Sequence, residues 1–202
     1  MKKITICFIS LSLLFGCNLF ESKGTLTINL TDAPLIIDQK IVTAINVTIN
    51  EIKVSRGINY ETIPEEENVE IIGDETDPLI DDTTVEWITI SSTPQNFNLL
   101  ELQNGITDII GSAILETGRY NQLRLIVNRD NTITFEGDET LYDLKIPSDI
   151  QSGVKLTGGF IINKDTTTII TLDFDAQQSV HIASGEYILQ PTIKIINVKK
   201  NI

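Results

Sequence analysis

Asp173 and Asp175 stand two residues apart in the alternating run Leu172-Asp173-Phe174-Asp175, a spacing that puts both carboxylates on one side of a strand. Like charges so placed repel unless water screens them or a cation bridges them. A hard cation such as calcium takes several oxygen ligands, and Asp32 in the turn Thr31-Asp32-Ala33-Pro34 can add one. By strand parity Asp32 falls on the side of Leu30, which suits a hydrogen bond inside the turn. The expectation is turn chemistry and a solvated face, with a structural calcium held by Asp32, Asp173 and Asp175 as the alternative. His181 is the single histidine, with Ser179 two residues before it. A zinc site or a catalytic triad needs more partners than these two supply, so His181 reads as structural or exposed. The chain contains no Gly-x-Ser-x-Gly elbow, P-loop or dinucleotide fingerprint. Trp87 lies in a strand with Val85 on its own side, so core packing is expected of it. Tyr60 and Tyr142 are freer, yet neither makes a stacking platform for a sugar. These residues point away from catalysis.

The elements that must position them are strands. Ile, Val and Thr number 35, 9 and 23 of 202 residues, against five Ala. β-Branched side chains lose χ1 freedom in a helix and pack well on a pleated surface, so the composition disfavours an all-helical protein. Leu26, Ile28 and Leu30 alternate with Thr25, Thr27 and Asn29, the period of a half-buried strand. A second strand over 43–54 turns Ile45, Val47 and Ile49 inward, then shifts phase to Ile52 and Val54, which predicts a bulge near Asn50 and Glu51. Residues 57–83 break the pattern with ten acids and two prolines, and read as a surface insertion with a small hairpin at 69–72. Strands are expected again at 85–90, 97–102, 120–128, 132–136, 141–146, 154–163, 167–175 and 187–198. Gly158 and Gly159 mark a bulge or a close approach, and Pro191 an edge or a bulge. The one helix is expected at 105–115, where Ile106, Ile109, Ile110 and Ala113 follow i, i+3, i+4, i+7. Gly118 with Tyr120, and Gly185 with Tyr187, share a pattern that suits two tyrosine corners. The fold class is therefore all-β, an antiparallel β-sandwich with one short helix, an up-and-down barrel being the alternative.

Ahead of this body lies an address. Lys2 and Lys3 precede an apolar run over 4–15, too short to cross a bilayer but suited to a signal peptide. It ends in Leu14-Phe15-Gly16-Cys17, which resembles the lipobox of bacterial lipoproteins, although Phe15 stands where a small or hydroxyl residue is usual. The resemblance implies removal of residues 1–16, lipidation of Cys17 and a tether over 17–23. Cys7 would leave with the signal and Cys17 would carry the lipid, so no thiol remains for a disulfide, a nucleophile or a metal. Loss of Lys2 and Lys3 takes the formal charge from −13 to −15. Such a body faces water, repelled by anionic headgroups and ill suited to nucleic acid, whose phosphates need clustered Lys and Arg.

Six segments carry a wider resemblance. They are Gly24-Thr-Leu-Thr-Ile-Asn-Leu-Thr-Asp32-Ala-Pro34, Trp87-Ile-Thr-Ile, Asn98-Leu-Leu-Glu101-Leu, Gly118-Arg-Tyr120-Asn-Gln-Leu-Arg124-Leu, Leu156-Thr-Gly158-Gly159-Phe160 and Leu172-Asp173-Phe174-Asp175-Ala176, in that order. Together the chain resembles, over 24–198 apart from the insertion, the bacterial family labelled domain of unknown function 4382. That resemblance implies an extracytoplasmic β-sandwich of immunoglobulin-like or transthyretin-like topology, and it carries no activity. The expectation is a non-catalytic binding or structural module, held by its lipid in the bacterial envelope, with an envelope protein or a glycan as partner. Binding through the loops at one end of the sandwich, or through a strand edge, are the two routes. Asn18 rather than Asp after Cys17 implies the outer membrane, by analogy with enterobacterial sorting.

Overall fold

A computed structural model of the protein describes residues 22–32, 41–56, 86–150 and 152–201. The signal segment, Cys17, Tyr60, Val85 and the acidic stretch 57–83 with its hairpin lie outside the described residues. In chain order the strands are β1 (Lys23–Thr31), β2 (Val42–Arg56), β3 (Glu86–Ser91), β4 (Gln95–Asn98), β5 (Asp108–Glu116), β6 (Gly118–Val127) and β7 (Thr132–Phe135). They continue as β8 (Asp138–Lys145), β9 (Val154–Ile162), β10 (Thr167–Phe174), β11 (Val180–Ala183), β12 (Glu186–Leu189) and β13 (Ile193–Asn201). One α-turn, α1 (Ala176–Ser179), precedes β11, and 3-10 turns occupy Leu99–Leu102 and Ser148–Ile150.

Two open sheets pack face to face as a β-sandwich. The smaller runs β13-β10-β1-β5; the larger runs β11-β12-β8-β7-β2-β6-β9, with β3 and β4 also on β2. β2 is the spine of the larger sheet, since β4 and β7 both pair with Asn46, and β3 and β6 both pair with Ile52 through Arg56. The alternation read in the sequence builds the core. Leu26, Ile28 and Leu30 from β1 and Ile170, Leu172 and Phe174 from β10 face Val47, Val54, Leu123 and Leu125 across it, all buried. Each such side chain contributes about 1.5–3 kcal/mol on burial. The phase shift in β2 is a bulge at Asn50, where the pairing to β6 jumps from Ile49 to Glu51, so that Ile49 and Ile52 both reach the core.

Three expectations need correction. The sheets are mixed, not purely antiparallel, because β1 runs parallel to β10 and β12 parallel to β8. Period-two alternation fixes which face is buried and is silent on a partner's direction. Residues 105–115 are not a helix; most of them form β5, an edge of the smaller sheet. Ile110 is the extra residue of a bulge opposite Ile28 and Asn29, so Ile109 stays 58% exposed while Ile110 is 1% exposed. The bulge puts the spacing of a helix into a strand. Finally, the expected strand at 187–198 is two strands, with Pro191 between β12 in the larger sheet and β13 in the smaller.

Candidate functional site

The three aspartates do different work from a metal cage. Asp32 is 4% exposed, and its Oδ1 accepts the backbone N–H of Ala176 at 3.0 Å while Oδ2 accepts Nε2 of Gln103 at 3.4 Å. Asp175 is the N-cap of α1, its Oδ1 accepting the N–H of Gln178 at 2.9 Å. Asp173 lies on the outer face of β10, in register with Thr31 and Lys194. Burial pushes its carboxyl above the usual value of 3.8, the Asp175 charge adds to this, and Lys194 opposes it. Two of the three carboxylates thus hold backbone amides, and no group of three His, Cys, Asp or Glu side chains suited to a metal gathers among the described residues. The calcium site at Asp32, Asp173 and Asp175 is corrected to a capping cluster around α1.

Ser179 and His181 are not brought into a pair. The Ser179 hydroxyl donates to the Asp175 carbonyl at 2.6 Å and accepts the Thr192 N–H at 2.8 Å, while His181 lies exposed on β11. The residues at the two suspected corners also diverge. Tyr120 donates its hydroxyl to the Glu116 carbonyl at 3.0 Å and stacks its ring on Phe160 at 5.4 Å, where the chain leaves β5 in one sheet for β6 in the other. Gly118 sits in that passage at φ +143°. Gly185, at φ +80° beside Ser184 at +53°, instead makes the two-residue turn of the β11–β12 hairpin. That hairpin stays within one sheet, so there is no corner to bridge. The ring of Tyr187 therefore joins Phe135 and Tyr142, at 5.3 and 5.4 Å.

The outer face of the larger sheet carries the arrangement that the sequence did not reveal. Trp87 was expected in the core, yet Ile88 and Ile90 take that side of β3 and Trp87 faces out with Thr89. Pairing across β3, β2, β6 and β9 lines up two rows on this face. One is Thr89, Lys53, Arg124 and Lys155; the next is Trp87, Ser55, Gln122 and Thr157. Three cations thus stand side by side on adjacent strands. The Arg124 guanidinium reaches diagonally over the indole, with Cζ at 4.1 Å from the ring centroid, a contact that contributes about 0.5–1 kcal/mol at exposed sites. Glu51 braces the row's near end, meeting Lys53 Nζ at 3.0 Å and accepting from the Thr89 hydroxyl at 3.3 Å. Beneath lies Ser55, 1% exposed, whose Oγ has no hydrogen-bond partner among the described residues. Chemically this face carries one guanidinium and two ammonium groups, the Lys53 ammonium paired with Glu51, with neutral hydroxyl and amide groups beside them. The signal for it is present in the polar side of each strand, but only the register turns Lys53, Arg124 and Lys155 into a row.

Comparison with known proteins yields no match among curated proteins and none among solved structures. A family model does match, over residues 23–191, which takes in every strand but β13, together with the caps of α1 and the outer face. The chain therefore belongs to the family described as Domain of unknown function (DUF4382).

Proposed function

We propose that this protein is a lipid-anchored module of the bacterial cell envelope whose β-sandwich binds a ligand and catalyses no reaction. Lipidation at Cys17 would leave five residues between the anchor and the first strand at Lys23, so the sandwich would sit close to the membrane that holds it. The observation that carries the binding role is the outer sheet face, where Lys53, Arg124 and Lys155 stand in register and the Arg124 guanidinium lies over Trp87. The proposed site is therefore a sheet face, put ahead of the loop ends and the strand edges. The edge strand β13 is blunted against strand addition by Lys194, Lys199 and Lys200 and by a register shift opposite Thr171 and Leu172.

Native pull-down of the acylated protein from its own envelope, with protease digestion of intact cells, tests this reading. The proposal expects a recovered envelope component, and digestion only where the sandwich faces outside the cytoplasm. Protection of the body inside intact and permeabilised envelopes alike, or release into the soluble fraction without detergent, would refute it.

A further inference from the structure

We infer that strand β11 is a pairing edge for a second copy of this chain, the two β11 strands adding antiparallel across a two-fold axis to join both larger sheets into one. This goes beyond the binding role proposed above and uses a different margin of the molecule from the ligand face. β11 ends the larger sheet and pairs only with β12 among the described residues. Ala183 and Glu186 close the two-residue turn, and the Ser179 carbonyl accepts the Gln190 N–H at 2.8 Å, so by antiparallel alternation His181 exchanges its backbone bonds with Ile188. Ile182 then points its N–H and C=O away from β12. The Val180 C=O points the same way, while the Val180 N–H is taken by the Ala176 carbonyl. The Ile182 side chain is 66% exposed.

Open strand edges are usually blunted by charge, by a bulge or by cover, and the other margins of the described sheets are. β13 carries Lys194, Lys199 and Lys200, β5 carries Asp108 and Glu116, and both have a register shift. β9 carries Lys155 and β3 carries Glu86, while β4 lies against β5, Gln95 Nε2 donating to the Ile110 carbonyl at 3.4 Å. β11 reads Val-His-Ile-Ala, with no Asp, Glu, Lys, Arg or Pro and an unbroken register. Two features name the occupant. A two-fold contact sets one patch against itself, so any charged edge would meet like charge; in a chain of net charge −13, β11 meets its copy without Asp, Glu, Lys or Arg. The edge is also short, four residues or about 13 Å, bracketed by α1 and by the Ser184-Gly185 turn. A longer extended peptide would overrun both ends, whereas a second β11 stops where the first stops. Centred on Ile182, the pairing gives the two Ile182 residues reciprocal N–H to C=O bonds and sets their side chains side by side, about 5.5 Å apart at Cα. Ile182 shares its face with Tyr187, whose ring meets Phe135 and Tyr142, so this apolar strip would run unbroken through the axis.

The experiment takes the full protein in neutral detergent, with micelles in excess, and oxidises single-cysteine variants with copper phenanthroline. Ile182→Cys should cross-link to a disulfide dimer, since its Cα separation across the axis lies within disulfide reach. His181→Cys points to the opposite face and falls out of register with its copy, and Ile114→Cys stands 72% exposed on β5. Both should cross-link about tenfold more slowly, because proximity rather than collision sets the rate at Ile182. Wild-type protein run alongside accounts for any thiol at Cys17, so the outcome does not depend on lipidation. Sedimentation of the unsubstituted protein should show two chains per particle. Ile182→Lys, which sets two ammonium groups side by side, should show one chain while keeping the wild-type melting temperature. The inference is overturned by equal cross-linking at the three positions, by faster cross-linking of His181→Cys, by one chain per particle in the wild type, or by a folded Ile182→Lys variant that still pairs. Cross-linking of Ile182→Cys in whole envelopes to a different protein, in place of its own copy, would overturn it as well. None of these readouts involves a ligand, so they succeed or fail independently of the binding role.

Discussion

At the scale of single residues, the carboxylates that could have held a cation instead hold the chain. Asp32 reaches across 144 positions of sequence to cap Ala176, and a buried acceptor of this kind is costly to remove. Asp32→Ala should lose about 1–3 kcal/mol, because the Ala176 amide is left without its acceptor. Chelation with EDTA should leave the melting temperature of the wild type unchanged, and thermal denaturation followed by circular dichroism reads both effects. Asp173 behaves in the opposite sense. Its folded-state carboxyl stands above the ordinary value, so the fold disfavours the ionised form, and the penalty grows as pH rises through the folded value. Asp173→Asn should therefore melt above the wild type at about pH 7, with the gain vanishing at about pH 3, below the ordinary carboxylate range. A constant gain across that interval would show that titration at this position is not its source.

At the scale of elements, a prediction separates strand from helix over 105–115. Ile110 is buried and Ile109 is exposed, though the two are adjacent and chemically identical. Ile110→Ala should cost about 2–5 kcal/mol and Ile109→Ala less than about 0.5 kcal/mol, measured by urea denaturation. An amphipathic helix with both residues on its apolar stripe would make the two costs similar. The same segment shows where sequence was legible. Leu26, Ile28 and Leu30, and likewise Ile170, Leu172 and Phe174, alternate without interruption, and their strands could be read directly. β2 was legible even through its bulge, since Ile49 and Ile52 flank a polar pair that marks the change of phase. In β5 the extra residue, Ile110, directly follows Ile109, and adjacent apolar residues mimic a helical face. Trp87 misled for a related reason, because the parity of β3 is set by Ile88 and Ile90, and large apolar size alone does not fix a side. The outer face was the least legible part. Lys53, Arg124 and Lys155 are separated by 71 and 31 positions, and their adjacency exists only in the register.

At the scale of the molecule, the fold is an open sandwich whose inner faces are apolar and whose function would be displayed on an outer face. The described part contains no helix long and apolar enough to cross a membrane. The proposed attachment is the lipid at Cys17. Two or more acyl chains hold a protein stably at a bilayer, whereas one chain holds it marginally. Mass spectrometry of the protein purified from its own membranes is the most direct test. The expected species is a chain that begins at Cys17 and carries a thioether-linked diacylglycerol on that sulfur. A free thiol at Cys17, or a chain that retains residues 1–16, would contradict it.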